Sequence, residues 1–183
     1  MAVTQQMTIE EFATLSDADG HFELIWGEPR EVAAAGRRHG VVGQRFNLRI
    51  GGFADERNLG ETYISDTGFV LFSEPRPVIV MPDVAFVRRE RLIGLDDPDG
   101  YLPFPPDLAV EVRSPSDERA EIEEKIDLYR AARLPLLWYC APRPRAVTVY
   151  RPDREPEVIG EDGELDGEDV LPGSRLRLVD IFN

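Results

Sequence analysis

The chain has 183 residues, 42% hydrophobic and 31% charged; that suffices for a sizeable core, fits one domain over residues 1–183, and is not the profile of a disordered protein. Its net charge of −14 excludes holding nucleic acid through a general basic surface, because that mode rests on Lys and Arg neutralising phosphates, but leaves room for metal-dependent chemistry at one cleft. One cysteine, Cys140, excludes an internal disulfide framework and a thiolate cage; with no apolar run near the roughly 20 residues that span a bilayer and no signal-peptide pattern, the expected location is the cytoplasm, with no membrane partner.

Thr8-Ile9-Glu10-Glu11 carries a capping-box signature and predicts a short helix from about Ile9 to Leu15, broken by Asp17 to Gly20. Phe22, Leu24 and Trp26 alternate with His21, Glu23 and Ile25, and Trp26-Gly27-Glu28-Pro29 turns this strand into a second near Arg30 to Ala34. Gly36 to Phe53 reads as the first long helix, weakened at its end by Gly51-Gly52. Arg30, Arg37, Arg38, Arg45 and Arg49 make this region locally basic, whereas Glu155 to Asp169 is acidic, so a nucleic acid is expected on the arginine side.

Tyr63-Ile64, Phe69 to Phe72 and Val78 to Val87 read as three successive strands. Arg88 to Pro106, rich in Pro, Gly and Asp, predicts a long surface loop with at most one helical turn, and its Tyr101, Leu102 and Phe104 give it something to bury. Leu108 to Val112 is a short apolar strand of the kind covered on both faces, and Ser114-Pro115-Ser116-Asp117 offers N-caps for a helix to about Arg133. Leu136 to Cys140, Ala146 to Tyr150 and Glu157 to Ile159 follow as strands, Gly160 to Glu164 reads as a hairpin tip, and Leu176 to Phe182 as a strand end or one helical turn. Cys140 reads as a small core residue, since nothing in the sequence places His21 or His39 beside it as a base.

Two of these apolar strands carry one acid each, Asp83 after Met81-Pro82 and Glu111 inside Leu108 to Val112. A buried carboxylate needs a metal, a cation or firm donors, because leaving it unpaired costs several kcal/mol. Asp83 and Glu111 are far enough apart in sequence to lie on neighbouring strands and converge on one divalent cation, and Mg²⁺ typically takes one or two protein carboxylates plus water and phosphate. Asp107 competes with Asp83, but it lies about 13 Å from Glu111 along an extended strand and reads as a strand-entry or turn residue. On the following helix, at about 100° per residue, Ile122, Ile126 and Tyr129 define a buried face with Lys125 on its flank, and Glu124 and Asp127 point elsewhere. Lys125 is then either a structural ion-pair partner or a catalytic cation.

The ordered series Phe22-Glu23-Leu24-Ile25-x-Gly27-Glu28, Arg38-His39-Gly40, Asp66-Thr67-Gly68-Phe69, Met81-Pro82-Asp83-Val84-Ala85-Phe86-Val87, Pro106-Asp107-Leu108-Ala109-Val110-Glu111-Val112-x-Ser114-Pro115-Ser116 and Glu124-Lys125-x-x-x-Tyr129, with Leu171-Pro172-Gly173 near the end, resembles the Uma-two family of restriction-endonuclease-like proteins. That family belongs to the PD-(D/E)XK nuclease superfamily. The resemblance implies an α/β (α+β mixed) restriction-endonuclease-like core, a mixed central sheet flanked by helices, with extra N- and C-terminal strands. It also implies Asp83 and Glu111 as ligands of Mg²⁺ or Mn²⁺, and Lys125 as the catalytic lysine. The superfamily's usual lysine follows the acid by two positions on the same strand, and here that position is Arg113. Arg113 then either contacts phosphate, substitutes for the lysine or faces solvent.

From phosphodiester chemistry, the metal would polarise the scissile phosphate and activate water, and Lys125 would orient that water or stabilise the developing charge. Glu23 either adds a metal or water contact or simply faces water; His39 either touches phosphate or caps and packs at the helix start. The expected function is a metal-dependent endonuclease acting on DNA. The alternative is a catalytically inactive nuclease fold used for binding or interaction, which the charge of −14 motivates; a different metal hydrolase also fits two acids and a lysine. Strand edges and the 88–106 loop make a homodimer an expectation.

Overall fold

The structure, a computed structural model, describes residues 6–15 and 21–183. The break expected at Asp17 to Gly20 lies outside them. Helix α1 (Ile9–Phe12) begins as anticipated: Thr8 and Glu11 exchange reciprocal side-chain-to-backbone bonds of 3.1 and 2.8 Å. It ends at Phe12, short of the expected Leu15. Strands β1 (Phe22–Ile25) and β2 (Glu28–Glu31) form a hairpin through Trp26 and Gly27, both at positive φ (55° and 81°). A two-residue turn of that kind matches strand twist, so β2 starts ahead of the expected Arg30.

Helix α2 (Arg37–Arg57) runs past the expected end at Phe53 and closes on Asn58, in the left-handed region at φ 55°. Gly51 does not break it because it is needed there: a Cβ at Gly51 would lie 3.0 Å from Thr62 Oγ1. The helix thus packs closely on β3 (Gly60–Ile64). After β4 (Phe69–Phe72), the expected run from Val78 to Val87 is two strands, β5 (Val78–Val80) and β6 (Val84–Arg88), in different sheets. Pro82, without an N–H to give a ladder, lies in the passage between them. The 88–106 segment is loop except for α3 (Arg89–Leu92) and a bridge from Leu102 to Phe69.

Strand β7 (Leu108–Val112) leads to α4 (Arg119–Ala131), capped by Glu118 and not by any residue from Ser114 to Asp117. Those residues close a turn of their own, in which Ser114 N donates to Asp117 Oδ2 at 2.7 Å. Strands β8 (Leu136–Ala141), β9 (Ala146–Tyr150) and β10 (Glu157–Gly160) follow. The 160–164 turn does not join a hairpin, because β11 (Glu164–Asp166) pairs with β12 (Arg175–Arg177) and leaves β10 at a sheet edge. The segment from Leu176 to Phe182 is both strand end and helical turn, the latter being α5 (Val179–Phe182).

The central sheet has the order β10-β9-β8-β7-β6-β3 and is mixed, with β7 and β8 its one parallel pair among the described residues. A parallel pair needs a crossover, which α4 supplies. Val84, Phe86, Leu108, Val110 and Trp138 share a core with Val42, Phe46 and Ile50 of α2, Phe46 and Trp138 with ring centroids 6.2 Å apart. Ala85, Val87, Ala109 and Leu137 pack on the opposite face with Leu128 and Tyr129 of α4 and with a second, antiparallel sheet, order β2-β1-β5-β4. Strand β7 is therefore covered on both faces, which is why its sequence is a continuous apolar run. No helix among the described residues is long and apolar enough to cross a membrane.

Candidate active site

Strands β6 and β7 pair Val84 with Val110 and Ala85 with Ala109, and the same register one step further sets Asp83 against Glu111. Asp83 is tied to that strand directly, its Oδ2 accepting from Val112 N at 2.7 Å. On the other side His39, in the first turn of α2, brings Nε2 to 3.2 Å from the same oxygen. Alternation along β7 turns Glu111 away from α2 and toward α4, where its Oε1 accepts from the Tyr129 hydroxyl at 2.6 Å and meets Lys125 Nζ at 3.0 Å. Lys125 and Tyr129 stand one helical turn apart, so one face of α4 presents both.

Glu23 does not face water. Its side chain is buried on β1, its Oε1 accepts from Met81 N at 2.7 Å, and the same oxygen lies 2.8 Å from Lys125 Nζ. Lys125 therefore bridges two carboxylates from different sheets. Next to it on α4, Glu124 also turns to the cleft, contrary to the sequence expectation, and accepts both terminal nitrogens of Arg30 on β2. The buried residues of α4 are Leu128 and Tyr129, while Ile122 and Ile126 are only partly covered. The first turns of this helix overhang the cleft and do not seat on the sheet.

Burial and close charge pairing compete in the cluster. Desolvation pushes the Glu111 carboxyl up to about 7; Lys125 and the Tyr129 hydrogen bond oppose the rise, and the charges of Asp83 and Glu23 add to it. For Lys125, burial works to lower the value, but Glu111 and Glu23 more than reverse it and hold the ammonium above its ordinary range. His39 is raised by its hydrogen bond to Asp83. Tyr129 is raised by burial and by the adjacent Glu111 charge, so it remains a hydroxyl donor.

Arg113 is not part of this cluster. Its side chain is exposed and makes no ion pair among the described residues, while its N–H donates to Cys140 O at 2.8 Å. Asp107 anchors the start of β7 elsewhere, accepting from Arg88 N at 2.9 Å and lying 3.0 Å from Arg91 Nη1. Cys140 is fully buried and its thiol is pushed up to about 12 by desolvation, an inert core residue.

The cluster lies in a cleft of about 960 Å³ between the β1–β2 hairpin, the N-terminal half of α2 and the start of α4. Among the described residues, no group of three His, Cys, Asp or Glu is arranged as a metal site. The facing Asp83 and Glu111 each commit one oxygen to protein donors, and Oδ1 and Oε2 have no partner among the described residues. Two hard oxygens beside a cleft fit a Mg²⁺-type ion that keeps water and phosphate in its remaining positions.

A model of the Uma2 family, described as "Putative restriction endonuclease", matches residues 9–179. The chain belongs to the Uma2 family. Among solved structures, this Uma2 protein is similar to one from Anabaena variabilis described as a putative nuclease, with a TM-score of 0.82, 18% identity, and coverage of 96% of this chain and 97% of the other. At that identity the likeness establishes the fold. No curated protein matches the sequence significantly. Two residues of the cleft, Tyr129 and Arg30, carry contacts that no site motif in the sequence marks. Tyr129 was legible from its spacing to Lys125, whereas Arg30 carried no signal beyond a locally basic stretch.

Proposed function

We propose that this Uma2 protein is a divalent-metal-dependent endonuclease that hydrolyses phosphodiester bonds in DNA. The observation that carries the proposal is the meeting of Glu111, Asp83 and Lys125 at one end of the β6–β7 ladder, beside a cleft. Asp83 Oδ1 and Glu111 Oε2 are the atoms proposed to hold Mg²⁺ or Mn²⁺. Bound there, the ion supplies Lewis acidity toward a phosphoryl oxygen and a water of lowered pKa.

The protein's own groups divide the remaining work. Lys125 stays protonated between Glu23 and Glu111, so it is a donor and not a base; its ammonium orients the attacking water or stabilises charge on the phosphate as it develops. Tyr129 fixes Glu111 by occupying Oε1, which keeps Oε2 toward the cleft. His39 holds Asp83, and Glu23 holds Lys125, both as positioning residues. Purified protein with Mg²⁺ or Mn²⁺ is expected to nick plasmid DNA, and chelation by EDTA to stop it. Absence of nicking with either metal on duplex and single-stranded substrates overturns the proposal.

A second reading, a catalytically inactive nuclease fold used as a binding or interaction module, draws on the cleft's charge. Nine carboxylates line it among the described residues, against one arginine, one lysine and two histidines. Calorimetry separates the readings, since the enzyme takes up Mg²⁺ or Mn²⁺ in proportion to Asp83 and Glu111 being intact and the inactive module does not.

A further inference from the structure

In an acidic cleft each cation has a partner, but the partners differ in kind. Lys125 is enclosed by Glu23 and Glu111, and His39 by Asp83. Among the described residues Arg30 pairs with Glu124 alone, and both side chains are solvent-exposed, at 44% and 36%. Arg30 stands directly across the β1–β2 ladder from Glu23, so both project from one face of the hairpin toward α4. Glu23 meets Lys125, and Arg30 meets the preceding residue, Glu124. Arg30 is thus the cross-strand neighbour of Glu23, which holds Lys125, and it stands at the cleft's rim.

An exposed ion pair contributes little, because water screens both members. A phosphate is a better partner for a guanidinium than a mobile carboxylate, matching its two parallel N–H donors with more charge. We infer that Arg30 is a substrate-binding residue that takes a backbone phosphate flanking the scissile one, and that Glu124 is its internal competitor, displaced when the strand enters. The inference rests on the nuclease reading above. Glu124 in this role imposes selectivity, since a ligand without a phosphate at that place leaves the latch closed.

The test exploits a sign difference. With the full chain, a fluorescein-labelled single-stranded oligonucleotide and Mg²⁺, Arg30→Gln should raise KM about tenfold, the loss of one charge-assisted pair, with kcat within about twofold. It should also lower the slope of log binding against log salt by about 0.7, one phosphate on a single strand. Arg30→Lys should recover part of the affinity. Glu124→Gln should lower KM several-fold by freeing the arginine. If Arg30→Gln and Glu124→Gln change KM in the same direction, or neither changes it, the pair is only structural and the inference fails. If wild type does not cleave, the same variants are compared by fluorescence anisotropy with Ca²⁺. Opposite shifts there uphold Arg30 while the nuclease reading falls; parallel or absent shifts, or no binding, overturn the inference.

Discussion

The Tyr129 hydroxyl donates to Glu111 Oε1 over 2.6 Å, on the oxygen that also meets Lys125 Nζ at 3.0 Å. One carboxylate oxygen is saturated by the protein, and the carboxylate plane is fixed as a result. Tyr129→Phe keeps the buried ring and removes the donor. Groups that orient a metal ligand typically matter by 10–100-fold, so this variant should bind Mn²⁺ about tenfold or more weakly by calorimetry and lose on the order of 1 kcal/mol of stability. Unchanged affinity would show that Lys125 alone orients Glu111.

Asp83→Asn and Glu111→Gln should each abolish metal uptake and cleavage together. Lys125→Met should separate the two, lowering cleavage by roughly 10²–10⁴ while a bound Mn²⁺ remains detectable. Cleavage at the wild-type rate in any of the three contradicts the assigned role.

Removing Lys125 leaves Glu23 and Glu111 facing each other without a cation. Breaking a fully buried pair costs about 3–5 kcal/mol; Lys125 is partly exposed, at 26%, so Lys125→Met should lose less than that and still melt below wild type without metal. Adding Glu23→Gln to it should recover part of the loss, because the second uncompensated charge is gone. A double variant whose destabilisation is the plain sum of the two single changes would mean that the residues do not share one network.

Stability should fall as pH rises through neutrality in metal-free protein. The Glu111 carboxyl has a folded value near 7 against an ordinary 4.5, so its penalty is absent below 4.5 and complete above 7, on the order of 3 kcal/mol. His39, raised above 6.5 by Asp83, contributes stability that is present below 6.5 and lost as pH climbs past its folded value. Lys125 is protonated throughout and adds no slope. Melting temperature should therefore drop between pH 5.5 and 8, with Mg²⁺ restoring more at pH 8 than at pH 5.5, and Glu111→Gln should flatten the profile. A rise in melting temperature over that range, or a larger metal effect at the acidic end, refutes the coupling.

The parts of the candidate site that were legible in sequence have two separate causes. Asp83 and Glu111 stand out because each interrupts an apolar run of sequence, Asp83 between β5 and β6 and Glu111 within β7, and a charge there is costly enough to announce a partner. Lys125 is legible through its helical phase with Tyr129. The His39–Asp83 contact is not, since it depends on where the first turn of α2 lands against β6, which no local pattern encodes. Glu23 misleads because β1 is covered on both sides, so alternation does not mark a wet face. The same limit explains the C-terminal strands: Glu157 to Ile159 and Glu164 to Asp166 flank a plausible hairpin tip, yet the later segment Arg175 to Arg177 takes the second strand. Pairing over distance overrides the turn signal.

Three residues, Met81 to Asp83, carry the chain from β5 in the smaller sheet to β6 in the central one. Both ends of that passage are engaged by the site, Met81 N by Glu23 and Asp83 by Val112 N. Its length is thus a gauge as well as a connection. One added residue would turn Asp83 to the opposite side of the strand or pull Glu23 off Met81, while the ladders on either side kept their registers. An insertion among the exposed residues 93–99 of the long loop should leave the candidate site undisturbed, whereas a single insertion between Val80 and Val84 should leave a folded chain that has lost the proposed metal site.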